Sequence, residues 1–389
     1  MNLTLTEEHN AIIEMAKRYA ISMLTPVAAR LDCSENNVED RVLFLNNLQG
    51  LAELGFMGMN VKAQYGGSEV GTIAFSLAIT EIAKACASTA VTVSVNNMVG
   101  EVIQTIASEE QKNKYLPKLC SGAYHAGSFC LSEVNAGSDP AGMKTQAVKD
   151  GSHWVLNGTK MWVSSAEYAG IFIVWAVTDS KAPKGKGISC FLVEADTPGI
   201  LIAKAENKMG QNASSTNQVI FEDCRIHESA LMGKLNDGFQ IAMKELAGGR
   251  IGIGSLALGI GLAAMDYSRQ YAVDREQFGS SIASMQGPQW MIADAYTQLE
   301  ASRLLLMSAA SCKDQGLAFS KQASMAKLHA TETANQVCYE ATQLMGGLGY
   351  TKDVPLERFS RDVRVTSIYE GTSEIQRIII AREILSEIH

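Results

Sequence analysis

A change of hydrophobic period along the chain constrains its fold more than any other feature. Residues 1–125 are patterned for helices: Ile12, Ala16, Tyr19, Met23 and Leu24 recur near helical spacing, and Pro26 marks a boundary. Thr4 and Glu7 have the spacing of a capping box, with Thr6 as an alternative cap. A second helix is predicted over Val42–Leu54, stopping at Gly55, with Gly66-Gly67 in a loop. Further helices are predicted over Ile73–Cys86 and Val91–Ile106, and Ser108 caps a short one that opens with Glu109-Glu110. Near Gly127 the pattern becomes extended. Asp150-Gly151 and Asn157-Gly158 suit tight hairpin turns, so Trp154–Leu156 and Met161–Val163 are predicted as strands of a three-stranded meander. More strands are predicted at Ile171–Val177, Ile188–Val193 and Gln218–Phe221. From Gly238 the pattern is helical again, in four long segments at 238–275, 285–315, 319–345 and 372–388.

The absence of β-α-β alternation disfavours a Rossmann fold. The predicted class is α+β, in three parts: an N-terminal helical domain (1–125), a middle β-barrel or sandwich-like domain (126–232) and a C-terminal four-helix bundle (233–389). Of the 389 residues 47% are hydrophobic, enough for more than one core. The net charge of −8, without a long basic run, speaks against nucleic acid and against an anionic membrane surface as partners. Eight dispersed cysteines with no C-x-x-C pair read as reduced thiols of a cytoplasmic protein. Six scattered histidines give no metal-ligand spacing, so no metal is expected. Nothing at the N-terminus has the form of a signal peptide, and the apolar stretch Leu256–Met265 is too short to span a bilayer.

The glycines of Gly248-Gly249-Arg250-Ile251-Gly252-Ile253-Gly254 suggest a phosphate loop, but they do not match G-x-G-x-x-G and no strand precedes them. Close helix packing is the better reading. There is no G-x-x-x-x-G-K-[ST] loop and no nucleophile elbow. The chemistry must therefore come from carboxylates, hydroxyls, arginines and a cofactor. Four stretches stand out in order: Phe129-Cys130-Leu131-Ser132-Glu133-Val134-Asn135-Ala136-Gly137-Ser138-Asp139, Lys160-Met161-Trp162-Val163-Ser164-Ser165, Asp274-Arg275-Glu276-Gln277-Phe278-Gly279, and Tyr369-Glu370-Gly371-Thr372-Ser373-Glu374-Ile375-Gln376.

On these stretches the whole chain resembles the acyl-CoA dehydrogenase family, and among its branches the short-chain (butyryl-CoA) type. Ser94-Val95-Asn96-Asn97, Gly187-Ile188-Ser189, Phe221–Ile226 and Gln343–Tyr350 add to the match. The resemblance implies an FAD-binding homotetramer that passes electrons to an electron-transfer flavoprotein. It implies flavin contacts at Phe129, Leu131, Ser132, Ser138, Trp162, Val163 and Ser164. It also implies contacts from Arg275, Phe278 and Gln286, with Arg275 reaching the pyrophosphate of a neighbouring subunit's FAD. Gln343, Gly346 and Gly347 match a stretch near the adenosine half, and Thr372 and Glu374 a further contact at a helix start. Substrate contacts are implied at Ser138, Arg250, Tyr369 and Gly371.

Glu370 is the candidate catalytic base. The α-proton of a thioester is weakly acidic, so its removal needs a positioned base, a stabilised enolate oxygen and an electron sink. A dry environment would raise the carboxylate's pKa and improve it as a base, and Ile368 and Tyr369 beside it suit such a pocket. The resemblance implies that the Glu370 N–H helps hold the thioester carbonyl, and that the β-hydrogen leaves to the flavin, giving a 2-enoyl-CoA. Some branches place the base at the position of Gly249, which cannot serve. The expected reaction is α,β-dehydrogenation of a short-chain acyl-CoA, with branched or cyclic chains left open. The alternatives are an acyl-CoA oxidase using oxygen, a nitroalkane oxidase (whose base is an aspartate), and a non-catalytic acyl-CoA- or flavin-binding protein. Two departures stand out: Ala247 replaces an acid thought to touch CoA, and Asn60-Val61-Lys62-Ala63 replaces a Pro-Glu-containing stretch.

Overall fold

Thr6 opens the first helix. In the computed structural model, which describes residues 5–34 and 37–387, the Thr6 and His9 side chains each accept from the other's backbone N–H. Thr4, the other predicted cap, lies outside the described residues. Helix α1 (Glu7–Tyr19) does not stop before Pro26 as expected. It passes through a π-helical turn, Ala20–Leu24, into α2 (Thr25–Asp32). Pro26 sits in the first turn of α2, where its missing N–H is tolerated. Helix α3 (Val38–Glu53) starts earlier than predicted because the Asn37 side chain accepts from the Asp40 N–H at 2.8 Å. It ends before Gly55, whose φ is +83°. Then come α4 (Gly71–Ala85), α5 (Ala87–Ile106) and α6 (Glu109–Cys120). Ser108 caps α6 in a reciprocal box with Gln111.

The strands follow as β1 (Ala126–Cys130), β2 (Gln146–Asp150), β3 (His153–Ser164), β4 (Ala169–Val177), β5 (Ile188–Glu194), β6 (Ile200–Ile202), β7 (Thr216–His227) and β8 (Leu231–Met232). They form one sheet in the order β6-β7-β3-β2-β4-β5-β8, with β1 parallel to β4. Asp150-Gly151 is the hairpin turn predicted, with Gly151 at φ +59°. Asn157-Gly158 is not a turn. Strand β3 runs straight through it, and the β3–β7 register slips between Leu156 and Gly158. The pair is a bulge: the Asn157 side chain exchanges hydrogen bonds with Asp223, and a Cβ at Gly158 would lie 2.6 Å from Thr145 Cα. The predicted meander is thus one hairpin with a long, kinked second strand.

Strand β4 reads Ala-Gly-Ile-Phe-Ile-Val-Trp-Ala-Val because both of its faces are covered. Ile171, Ile173 and Trp175 face the helical core, while Phe172, Val174 and Ala176 face a second core with Leu156, Val163, Phe191, Val193 and Phe221.

The chain closes with α7 (Gly238–Asp274), a small hairpin of β9 (Glu276–Gln277) and β10 (Ser280–Ser281), then α8 (Gln286–Asp314), α9 (Ser320–Met345), α10 (Leu356–Arg364) and α11 (Ser373–Ser386). Helix α10 escaped the sequence reading because it is short and mostly polar. Its buried face consists of Leu356, Phe359, Val363 and the acid Asp362. The glycines of α7 do allow close packing: a Cβ on Gly252 would lie 2.2 Å from Ser94 Oγ, and one on Gly259 2.3 Å from the Thr80 carbonyl oxygen. Helix α7 is also the one described helix long and apolar enough to cross a membrane, yet 78% of that apolar window is buried inside the protein.

Candidate active site

Glu370 lies where α7, α9 and the start of α11 meet. A Cβ added to Gly249 would stand 2.8 Å from Glu370 Oε2 and 2.9 Å from Met98 Sδ. The carboxylate therefore rests against the bare backbone of α7, with the Met98 thioether of α5 alongside. Oε2 is fully enclosed and has no hydrogen-bond partner among the described residues. The residue as a whole is half-buried. An orphaned carboxylate oxygen is costly to desolvate. Burial accordingly pushes the Glu370 carboxyl up to about 7, even though Arg250 and Lys327 pull it down.

Both cations sit deep. Arg250 is buried, with Nη1 3.3 Å from Ser324 Oγ and Nε without a partner. Burial pushes Lys327 down to about 8. Tyr369 hydrogen-bonds the Gln211 side chain, which ties the segment to the β-domain; Ile368, predicted to help dry the pocket, instead points outward at 50% exposed. Met98 and the bare Gly249 backbone supply the apolar wall. Among the described residues nothing accepts the Glu370 N–H.

The sign of the pH effect follows. A carboxyl raised by burial adds stability that is present below its ordinary value of 4.5 and is lost as pH rises through about 7. Glu370→Gln should therefore raise the melting temperature more at pH 8 than at pH 5. An equal change at both pH values would remove the claim that this carboxyl is buried at an energetic cost.

The predicted flavin residues divide into three groups. The first lies on the β-domain. Ser128 Oγ donates to the Ser164 carbonyl at 2.7 Å, and the Met161 N–H donates to the Ser132 carbonyl at 2.9 Å, so the first two sequence stretches are neighbours. Trp162 is 58% exposed at φ +63°, an aromatic face left uncovered by its own chain. Phe129 packs against Trp175 with ring centroids 4.2 Å apart and planes tilted by 44°, while Ser132 is half-buried and Ser138 exposed. The Val163 and Leu131 side chains are buried, which leaves their backbone groups to meet a ligand.

The second group, Thr372 and Glu374, opens α11 beside a cleft of about 380 Å³ that Arg364 and Asn335 also line. The Thr372 side chain caps α11, accepting from the Ile375 N–H. An aromatic wall, hydroxyl donors and a helix start for phosphates together suit a flavin dinucleotide.

The third group is remote. Arg275 and Phe278 follow α7, Gln286 begins α8, and Gln343, Gly346 and Gly347 end α9. Along α7, Arg275 stands roughly 37 Å from Arg250 at 1.5 Å per residue. Phe278, at φ +52°, is 97% exposed.

Comparison with known proteins agrees with this layout. The three domain signatures of one family match in order: acyl-CoA dehydrogenase N-terminal domain over residues 6–123, middle domain over 128–224 and C-terminal domain over 236–385. The chain belongs to the acyl-CoA dehydrogenase family. It is 42% identical over 388 residues to the acryloyl-CoA reductase (NADH) of Anaerotignum propionicum, covering 99% of this chain and 96% of that protein. It is 39% identical to the short-chain specific acyl-CoA dehydrogenase of Clostridium acetobutylicum, covering 99% and 100%. Butyryl-CoA dehydrogenase from Megasphaera elsdenii superposes with a TM-score of 0.94 at 34% identity, covering 99% and 100%. The protein is thus a flavin-dependent oxidoreductase with FAD as its cofactor. Among the described residues no cluster of three or more His, Cys, Asp or Glu could hold a metal ion.

Three residues of this acyl-CoA dehydrogenase escaped the sequence reading as site residues: Lys327, Gln376 and Lys160. All three are polar yet fully buried. Lys327 lies on a helix that reads as an ordinary bundle element; Lys160 and Gln376 stand inside the singled-out stretches, but no sequence signal marks their burial.

Proposed function

We propose that this cytoplasmic enzyme removes the α-proton of a short-chain acyl-CoA with Glu370 and delivers the β-hydrogen to its cofactor as hydride. One observation carries the reading: a carboxylate oxygen enclosed, unpartnered and pressed against a helix that has no side chain at that position. FAD, when bound, supplies the two-electron acceptor. Glu370 takes the proton on its carboxylate. Its unpaired backbone N–H is placed to donate to the thioester oxygen as negative charge develops there, a contribution of about 3 kcal/mol for one such donor. Arg250 and Lys327 hold positive potential near the carboxylate, which keeps its ionised form accessible near neutral pH. Met98 and the Gly249 backbone keep bulk water from the enclosed side of the base.

The remote group supports a homotetramer in which Arg275, Phe278, Gln286 and the Gln343–Gly347 stretch serve the FAD of another subunit. Within one chain, the two ends of α7 are too far apart to share one contact set. The electron acceptor we propose is an electron-transfer flavoprotein. Anaerobic flavin bleaching with butyryl-CoA and with branched and longer acyl-CoAs tests the substrate class: the four-carbon chain should bleach fastest. Failure of every short acyl-CoA to bleach would overturn the reading. Reoxidation faster by oxygen than by the flavoprotein would move the enzyme to the oxidases.

A further inference from the structure

The backbone turns twice through the left-handed region just before the last helix, at Glu370 (φ +54°) and Gly371 (φ +87°). Glycine adopts that conformation freely and glutamate does not, so the turn needs external support. Two side chains supply it. Lys327 Nζ donates to the Gly371 carbonyl at 2.9 Å. Gln376 Nε2 donates to the same carbonyl at 2.8 Å and to the Glu370 carbonyl at 3.1 Å. Lys327 and Gln376 are each 0% exposed. A lysine this deep is rare without a carboxylate partner, yet its hydrogen bond goes to a backbone carbonyl next to the proposed base.

We infer that Lys327 is a positioning residue for Glu370: with Gln376 it pins both carbonyls of the Glu370–Gly371 turn, and it sets a positive charge one residue from the proposed base. This rests on the reading of Glu370 as the base. Arg250 faces the carboxylate from α7 and is the other nearby cation. Glu332 on α9 and Glu374 on α11 face Lys327, while Glu383 on α11 faces Arg250. Asp362 on α10 lies beyond Tyr369. Glu332 is already engaged, accepting from Ser373 Oγ. Glu370 is thus the acid that shares the turn Lys327 holds. A lysine that merely filled a carbonyl's valence would stabilise the fold and leave the titration of Glu370 unchanged.

The test uses the FAD-loaded enzyme with butyryl-CoA, in the Lys327→Met, Lys327→Gln and Gln376→Met forms, with Glu370→Gln alongside. Two quantities are read: the bleaching rate against pH, and the carbon-13 NMR titration of the Glu370 carboxyl. Lys327→Met should slow bleaching at pH 7 on the order of 100-fold and move the carboxyl titration up by about one pH unit, with the dissociation constant for butyryl-CoA changed by less than about threefold. Lys327→Gln keeps a donor but no charge, so it should show the same titration shift and recover part of the rate at high pH. It carries the test if Lys327→Met does not fold. Gln376→Met should slow bleaching without moving the titration. An unshifted titration in both Lys327 variants overturns the inference, whether the rate is retained or lost evenly at all pH values. Bleaching by Glu370→Gln would instead overturn the assignment of the base, and the NMR titration alone would then decide whether the Lys327 charge acts on the Glu370 carboxyl.

Discussion

Glu370→Gln should bind butyryl-CoA and leave the flavin oxidised. The amide has nearly the shape of the carboxylate and sits in the same enclosed space against Gly249, so the acyl pocket is preserved. What it lacks is a lone pair basic enough to take an α-proton. A positioned general base is worth about 10²- to 10⁴-fold, and among the described residues no other carboxylate meets Gly249. The anaerobic bleaching rate should fall by at least that factor while binding, read from perturbation of the flavin spectrum, stays within about tenfold. In the wild type, bleaching should rise with pH through about 7, because only the ionised form of a carboxyl titrating there accepts the proton. Rapid bleaching by the variant, or a flat profile between pH 6 and 8 in the wild type, would place the base elsewhere.

Glu133→Ala should destabilise the β-domain by about 3–5 kcal/mol, the cost of stranding a buried charge. Lys160 is 0% exposed, and its Nζ lies 2.8 Å from Glu133 Oε1. Glu133 also accepts from the Lys144 N–H at 2.6 Å and the Thr145 N–H at 2.9 Å. Burial pushes the Glu133 carboxyl up, but Lys160 and these donors outweigh it and hold the group below its ordinary value. Without Glu133, Lys160 retains only the Leu131 carbonyl at 3.2 Å and the Met143 sulfur at 3.8 Å. The pair also anchors the turn between Leu131 and Ser138, so FAD affinity should fall together with stability. Urea unfolding of the single variants and of Glu133→Leu/Lys160→Met isolates the coupling: the double variant should be more stable than Glu133→Ala. A single variant within 1 kcal/mol of wild type would mean that water reaches Lys160.

Much of this was legible in the sequence for identifiable reasons. The helix starts at Thr6 and Ser108 are local chemistry, a side chain meeting an N–H three residues on. The long helices of the C-terminal bundle announce themselves by period and by the glycines between them. Asn157-Gly158 misled because the same dipeptide suits a hairpin turn and a bulge. The choice fell to β7, whose Asp223 lies opposite, 66 residues further along the chain. Pro26 does mark a boundary, but as the first turn of α2, which a π-helical turn upstream joins to α1 without a break.

The site divides in the same way. Glu370, its family motif and the empty position at Gly249 could be found from residue types alone, because a base needs a carboxylate and glycine cannot be one. The features that make Glu370 reactive required the tertiary structure. Its pKa comes from an oxygen enclosed by α5 and α7, and its backbone conformation is held by Lys327 and Gln376. Lys327 is 43 residues away, on a helix whose polar residues all look alike in sequence. A side chain's identity is set by the sequence, but desolvation, electrostatic potential and the support of a left-handed turn are properties of the neighbours that folding brings to it.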